Sequence, residues 1–282
     1  MKENKYGYYF VLPATLFLIA IIIFPAINTF KLSISGKNGN FCGFTHYARA
    51  IFDPIVQNAF RNTVLISVVS VCFFIIIGLI MALFLNRPMR GRMWFRIIAF
   101  LPWTVPDVAV GLIWRWIYDP TYGLLNSMIE KLGFPFTNVE WLSSPSLAIY
   151  SIITTNIWRG YPFVMVILLA GLQSIPKELY ECAALDGASV FKQFQHITIP
   201  GLKKPFIVSL ALSTVWEFRR FALVSIMTGG GPGYSTEVMQ TLIFKQYFRF
   251  FNFEYASAIA ILLTIVLLMS SLPYIKGMLS DV

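Results

Sequence analysis

The chain has 282 residues, 57% of them hydrophobic and only 12% charged, with a formal net charge of +9. A soluble domain has roughly a quarter of its residues charged, so water is the wrong solvent for this chain. Its basic residues punctuate apolar runs instead of forming a stripe with a nucleic-acid motif, which excludes a nucleic-acid partner and points to loop charges and headgroup contacts.

Six runs are long enough to cross a bilayer, which takes about 20 apolar residues. They cover 8–32, 59–85, 94–117, 147–172, 205–228 and 255–274. Each is expected to be helical, because hydrocarbon offers no partner to a free backbone N–H or C=O. The first follows Lys2 and Lys5; its apolar run is too long for a signal peptide and no cleavage site follows, which predicts an uncleaved anchor. Pro13, Pro25, Pro102, Pro106 and Pro162 fall inside spans and predict kinks covered by neighbouring helices. The short loop 86–93 holds Arg87, Arg90 and Arg92 and no acid, with Arg96 just beyond. Such loops face the cytoplasm. Parity then places both termini and the loop 173–204 inside, and the loop 119–146 outside, although the external loop 33–58 carries Lys37 and Arg49. Within 119–146 a short helix is predicted over 124–132, ended by Gly133. Between the last two spans Gly229-Gly230-Gly231-Pro232-Gly233 must break any helix. It lacks the Gly-Lys-Ser/Thr ending of a phosphate-cradling loop, so no nucleotide site is expected in this chain. The reading is an all-α polytopic membrane protein with one transmembrane domain over 1–282.

Cys42, Cys72 and Cys182 show neither metal spacing nor a disulfide framework, and the two histidines, His46 and His196, lie far apart. No metal site, no cofactor and no catalytic residue is expected. A membrane-embedded enzyme would need a convergent His/Asp/Ser or metal set. A secondary transporter driven by an ion gradient is the alternative; it usually shows broken helices at corresponding positions of two repeats, and no such pair is visible.

The loop between the fourth and fifth spans carries an ordered pattern. Glu181-Cys182-Ala183 is followed by Gly187 and then by Ile197-Thr198-Ile199-Pro200. Residues 178–188 are rich in helix formers and small side chains. Gly187 suits the left-handed end of that helix, and Ser189 suits the N-cap of a second one presenting Phe191 and Phe194. A helix-turn-helix is therefore predicted over about 176–201. Two readings fit it: a projection that docks into a partner's groove, or an amphipathic helix anchored in headgroups by Phe191 and Phe194.

The spacing resembles the EAA motif, E-A-A-x3-G-x9-I-x-L-P, of permease subunits of ATP-binding-cassette (ABC) importers, and this favours docking. Cys182 for the first alanine and Ile199 for the leucine are the departures. Further strings resemble the carbohydrate-uptake class of that family. These are Gly78 through Arg87 with Arg90-Gly91-Arg92, Phe100 through Pro106, Trp114-Arg115-Trp116, Tyr122 through Asn126, and Met227 through Pro232. The resemblance implies a cytoplasmic coupling loop in which Glu181, Cys182, Ala183, Asp186, Gly187, Ile197 and Pro200 meet the motor. It also implies two ABC ATPase subunits that bind the ATP and Mg, a second homologous permease making a heterodimer, and an extracytoplasmic solute-binding protein. The cargo would be a sugar or oligosaccharide, the location a bacterial or archaeal plasma membrane, and the mechanism alternating access.

Two polar stripes are candidates for the substrate pathway. Ser151, Thr155 and Arg159 recur every four residues on the fourth span, and Ser209, Ser213, Glu217 and Arg220 recur on the fifth, with Arg219 beside them. Charges deep in a span cost about 2.5–3.5 kcal/mol each on insertion scales and face a cavity or a partner. Two readings stay open: Glu217 pairs with Arg220 or Arg159 and locks the bundle, or these charges line a cavity. Trp158, Tyr161 and Trp216 flank the stripes and suit either packing or the apolar faces of sugars. An uncharged, hydroxyl-rich solute fits such a cavity, and an anionic sugar would use the arginines.

Overall fold

The computed structural model describes residues 5–134 and 138–279. Lys2 and residues 135–137 of the 119–146 loop lie outside the described residues. Among the described residues there is no strand, only an isolated bridge between Ser35 and Phe41.

Among the described residues, four helices are long and apolar enough to cross a membrane. The first is made of α1 (Lys5–Leu18) and α2 (Phe24–Ser33), joined by a π-helical turn, Ile19–Ile23. The turn falls just before Pro25, which has no N–H to continue the ladder; the Phe24 N–H instead reaches back to the Ile19 carbonyl. Next come α3 (Thr45–Phe52) and the second long helix, α4 (Pro54–Asn86). Then follow α5 (Arg92–Thr104), α6 (Asp107–Ile117) and the short α7 (Leu124–Lys131). The third long helix is α8 (Ala148–Ser174), followed by α9 (Lys177–Leu185), α10 (Val190–Gln193) and α11 (Ile199–Gly201). The chain continues through α12 (Lys203–Glu217), α13 (Ala222–Met227) and α14 (Met239–Phe244) to the fourth long helix, α15 (Phe253–Leu279).

Two of the six expected spans are not continuous helices. At 94–117 the chain bends by 95° between α5 and α6. The cause is Pro106: the residue before a proline is pushed out of the helical region, and Val105 sits at φ −77, ψ 129. At 205–228 the helix stops at Glu217 and restarts at Ala222. The kink expected at Pro106 is thus a sharp break, and the interruption after Glu217 lies in a run expected to be continuous.

The chain forms two compact units. One runs up to Gln57 and includes Leu242–Val266; the other holds Asn58–Thr241 and the segment from Leu267 onward. In the first, Ser33 and Tyr47 share a hydrogen bond of 2.6 Å, Tyr255 donates to Asp53 at 2.8 Å, and the Arg49 guanidinium lies 4.5 Å from the Tyr255 ring centroid. In the second, α8 is the hub: α5, α6, α12 and α13 all pack against it. One apolar cluster joins Phe74, Ala82 and Leu85 of α4 to Val164, Leu168 and Leu172 of α8. Another joins Val110 of α6 and Ile152 of α8 to Leu223 and Val224 of α13.

Candidate functional site

Both helix interruptions meet at one cluster of charges. Asp107 opens α6, where a carboxylate is favoured by the helix dipole. Its Oδ1 accepts from Arg220 Nη1 at 3.1 Å and pairs with Arg159 Nε from α8. Arg220, in the break after α12, also donates through Nε to Glu217 Oε1 at 2.9 Å, with Nη2 on the same oxygen. Asn156 of α8 donates to the other Glu217 oxygen and to Ser70 Oγ of α4, the latter at 2.9 Å. The carbonyl of Phe218, freed by the break, accepts from Gln240 Nε2. Two carboxylates thus balance two guanidiniums. The Glu217 side chain is 1% exposed and that of Arg220 8%, against 30% for Asp107. A buried pair of this kind is tightly constrained, because removing one partner commonly costs about 3–5 kcal/mol.

The cluster forms one wall of a cavity of about 590 Å³ lined by Trp103, Asp107, Arg159, Trp216, Arg219 and Arg220. Arg219 is exposed and makes no ion pair among the described residues, so it leaves the wall one positive charge in excess. Phe163 lies 4.5 Å from Trp216 and 5.9 Å from Trp103, ring to ring, which gives the cavity an aromatic side.

The structure brings Arg159, Trp216 and Arg220 of the expected pathway set together. It places Glu217 behind that wall, paired with Arg220. Ser151 and Thr155 do not reach it. Ser151 Oγ donates to the carbonyls of Trp141 and Leu147, both at 3.1 Å, and Thr155 Oγ1 donates to that of Ser151 at 2.9 Å. Ser213 is buried. The stripe fails because four-residue steps drift by roughly 40° each on an α-helix, so Ser151 and Arg159 point apart. Trp158 and Tyr161 line a different, largely apolar cavity of about 490 Å³ with α4 and α5. Asp107, Asn156 and Trp103 were missed. An acid directly after Pro106 in an apolar run was the available signal for Asp107.

The segment after α8 has its own geometry. α9 ends at Leu185, and Gly187 follows at φ +76 with open space where a Cβ would stand. The Gly187 and Ala188 N–H groups return to the carbonyls of Ala184 at 3.0 Å and Ala183 at 2.9 Å. Ser189 Oγ accepts from the Lys192 N–H at 3.4 Å and caps α10. A π-helical turn, Phe194–Thr198, leads into α11 just before Pro200. The two arms are tied by a 3.0 Å hydrogen bond between Tyr180 and Thr198. Glu181, Cys182, Asp186, Gly187 and Pro200 are exposed, whereas Ala183 and Ile197 are half-buried. Leu185, Val190 and Phe191 are 89%, 79% and 73% exposed, an apolar tip on a polar segment. At the base, Ile175 and Leu202 join the apolar cluster of α4 and α8.

The chain matches the family described as binding-protein-dependent transport system inner membrane component over residues 74–280. It is 36% identical over 280 residues to the trehalose/maltose transport system permease protein of Thermococcus litoralis, covering 98% of this chain and 94% of that protein. It is 36% identical over 257 residues to the sulfoquinovosyl glycerol transport system permease protein of Agrobacterium fabrum, covering 89% and 83%. Among solved structures, a bacterial ABC transporter involved in import of the acidic polysaccharide alginate aligns with a TM-score of 0.86 at 23% identity, over 97% of this chain and 94% of that one. The alginate transporter in complex with a periplasmic protein bound to an alginate pentasaccharide aligns at 0.85, also at 23% identity, over 96% and 93%. Both structural likenesses establish the fold.

Proposed function

The chain belongs to the family of binding-protein-dependent transport system inner membrane components, and on that premise we propose that it is the permease subunit of an ATP-driven importer of a sugar or oligosaccharide. It is a transport component of the membrane and not an enzyme. Six crossings are counted, two of them broken: α5 with α6, and α12 with α13. The arginines of 86–93 place both termini and the 177–201 segment on the cytoplasmic side. A second, related permease completes the pore, two ABC ATPases bind ATP and Mg, and a soluble binding protein delivers the cargo outside. An ion-gradient mechanism leaves the exposed helix-turn-helix without a role and finds no support.

The observation that carries this reading is the placement of the apolar tip. Leu185, Val190 and Phe191 stand exposed on a segment rooted at the junction of α8 and α12. Those same two helices carry Arg159 and Trp216 at the cavity and Glu217 behind its wall. A push on the tip therefore reaches the charged wall through two packed helices. Glu181, Cys182, Ala183, Asp186, Gly187, Ile197 and Pro200 are assigned to that coupling contact. At the cavity, Trp103 and Trp216 offer flat faces to pyranose rings and the arginines offer hydrogen bonds to hydroxyl or acidic groups. Ser151, Thr155, Ser213, Trp158 and Tyr161 act by holding the helices.

The test is purification of the tagged chain from its native membrane, followed by reconstitution with its binding protein. Co-purification of an ATPase and ATP-dependent uptake of the binding protein's sugar are expected. Uptake by this chain alone, driven by an ion gradient, would contradict the proposal.

A further inference from the structure

A separate cavity of about 500 Å³ lies where α4 ends, α5 begins and α8 gives way to α9. Asn86, Arg92, Gln173, Lys177 and Tyr180 supply its polar lining over an apolar floor of Leu172 and Ile175. The wall holds two cations and no carboxylate, and neither Arg92 nor Lys177 forms an ion pair among the described residues. The amides of Asn86 and Gln173 and the Tyr180 hydroxyl add neutral donors. Both cations are also the first residues of their helices, α5 and α9, where the helix dipole opposes positive charge. An anion in the cavity relieves both.

The surroundings indicate what carries that anion. α4 brings an apolar run of membrane length to its end at Asn86. Directly after Arg92, Met93, Trp94, Phe95 and Ile98 are 72%, 69%, 52% and 62% exposed. The cations thus stand beside an exposed apolar face that includes Trp94, a ring type enriched where membranes meet water. A soluble anion would gain nothing from that apolar edge, whereas a lipid uses both parts. We propose that this cavity binds the phosphate of an acidic phospholipid headgroup, with Arg92 and Lys177 on the phosphate and the acyl chains along Trp94, Phe95 and Ile98. Tyr180 lines the cavity and bonds to Thr198, so an occupied site braces the two arms of the 177–201 segment. Only that bracing role rests on the coupling function proposed above; lipid binding does not.

The experiment is native mass spectrometry of the purified intact complex, titrated with phosphatidylglycerol or phosphatidylcholine. Wild type is expected to retain phosphatidylglycerol in preference. Near a membrane surface each basic residue contributes enough for R92Q or K177Q to weaken retention about fivefold, and the double variant about thirtyfold. Arg90 belongs to the same loop but not to the cavity wall, so R90Q removes the same charge and should leave retention unchanged. Complex assembly is recorded for every variant, and K177Q alone serves if R92Q fails to assemble. Equal losses in R90Q and R92Q, or full retention in the double variant, would overturn the site. Binding of inorganic phosphate without lipid, lost in the double variant, would overturn the lipid assignment in favour of a soluble anion. Because retention is read without transport, failure here is distinct from failure of the importer assignment.

Discussion

The charge cluster around Arg220 and the segment 177–201 are built in opposite ways. The cluster draws side chains from α4, α6, α8 and α12 together; Asp107 and Arg220 are 113 residues apart in sequence. Its members are mostly buried and hold one another. The segment is made from local bonds, as Gly187 and Ala188 return to Ala184 and Ala183 and Ser189 caps α10. Leu185, Val190 and Phe191 at its tip face outward. Buried charge makes a region depend on distant partners for folding. A locally closed, exposed segment rooted on a packed base needs few distant side chains for its shape and exposes its tip for a partner. Substitutions in the first should cost assembly, and substitutions in the second should cost transport.

The largest expected effect separates the two regions most sharply. Arg220→Gln strands the Glu217 carboxylate, so a loss of about 3–5 kcal/mol is expected, read as failed assembly or a collapsed melting transition. Glu217→Gln should cost less, since Arg220 keeps Asp107. The double variant should recover much of the loss in a double-mutant cycle. An Arg220→Gln complex that assembles normally but is inactive, with no rescue in the double variant, would instead make these charges direct contacts of the cargo. Gly160→Ala comes next: its Cβ would enter the Phe74 ring. Overpacking of about 1–3 kcal/mol should lower the melting temperature. Ser151→Ala removes hydrogen bonds to two carbonyls at a cost of about 0.5–1.5 kcal/mol, and uptake per assembled complex should be unchanged. Reduced uptake with unchanged assembly would return Ser151 to the pathway. Smallest in stability is Phe191→Gln, an exposed change expected within about 0.5 kcal/mol. It should nevertheless lower the amount of ATPase recovered with the chain.

The same contrast explains what the sequence made legible. The helix-turn-helix is encoded locally, so a glycine, a serine and their spacing suffice to place its turn and cap. The long helices follow from unbroken apolar runs. The break after Glu217 has no such local mark, for Phe218-Arg219-Arg220-Phe221 contains neither glycine nor proline. It is set by tertiary contacts, with Arg220 turned to Asp107 and Gln240 taking the Phe218 carbonyl. Asp107 was overlooked because its partners lie on the next span and the one after it, and a lone acid has no periodicity to betray it. The serine and threonine stripe misled for the reverse reason: it is periodic, but its hydroxyls are satisfied by nearby carbonyls on or beside α8.

On the proposed function, force enters at 177–201 and is used at the cavity. The measurement that tests it most directly is the ratio of cargo uptake to ATP hydrolysis in the reconstituted complex carrying Gly187→Val. Gly187 stands at φ +76, and an added Cβ meets no neighbouring residue, so the strain of a valine there falls on the turn's own backbone. The left-handed conformation costs a residue with a Cβ about 1–2 kcal/mol. The complex should assemble and hydrolyse ATP at its basal rate while uptake falls sharply, because the strained turn no longer holds the tip in its docking geometry. Normal uptake with normal cargo-stimulated hydrolysis would contradict the claim.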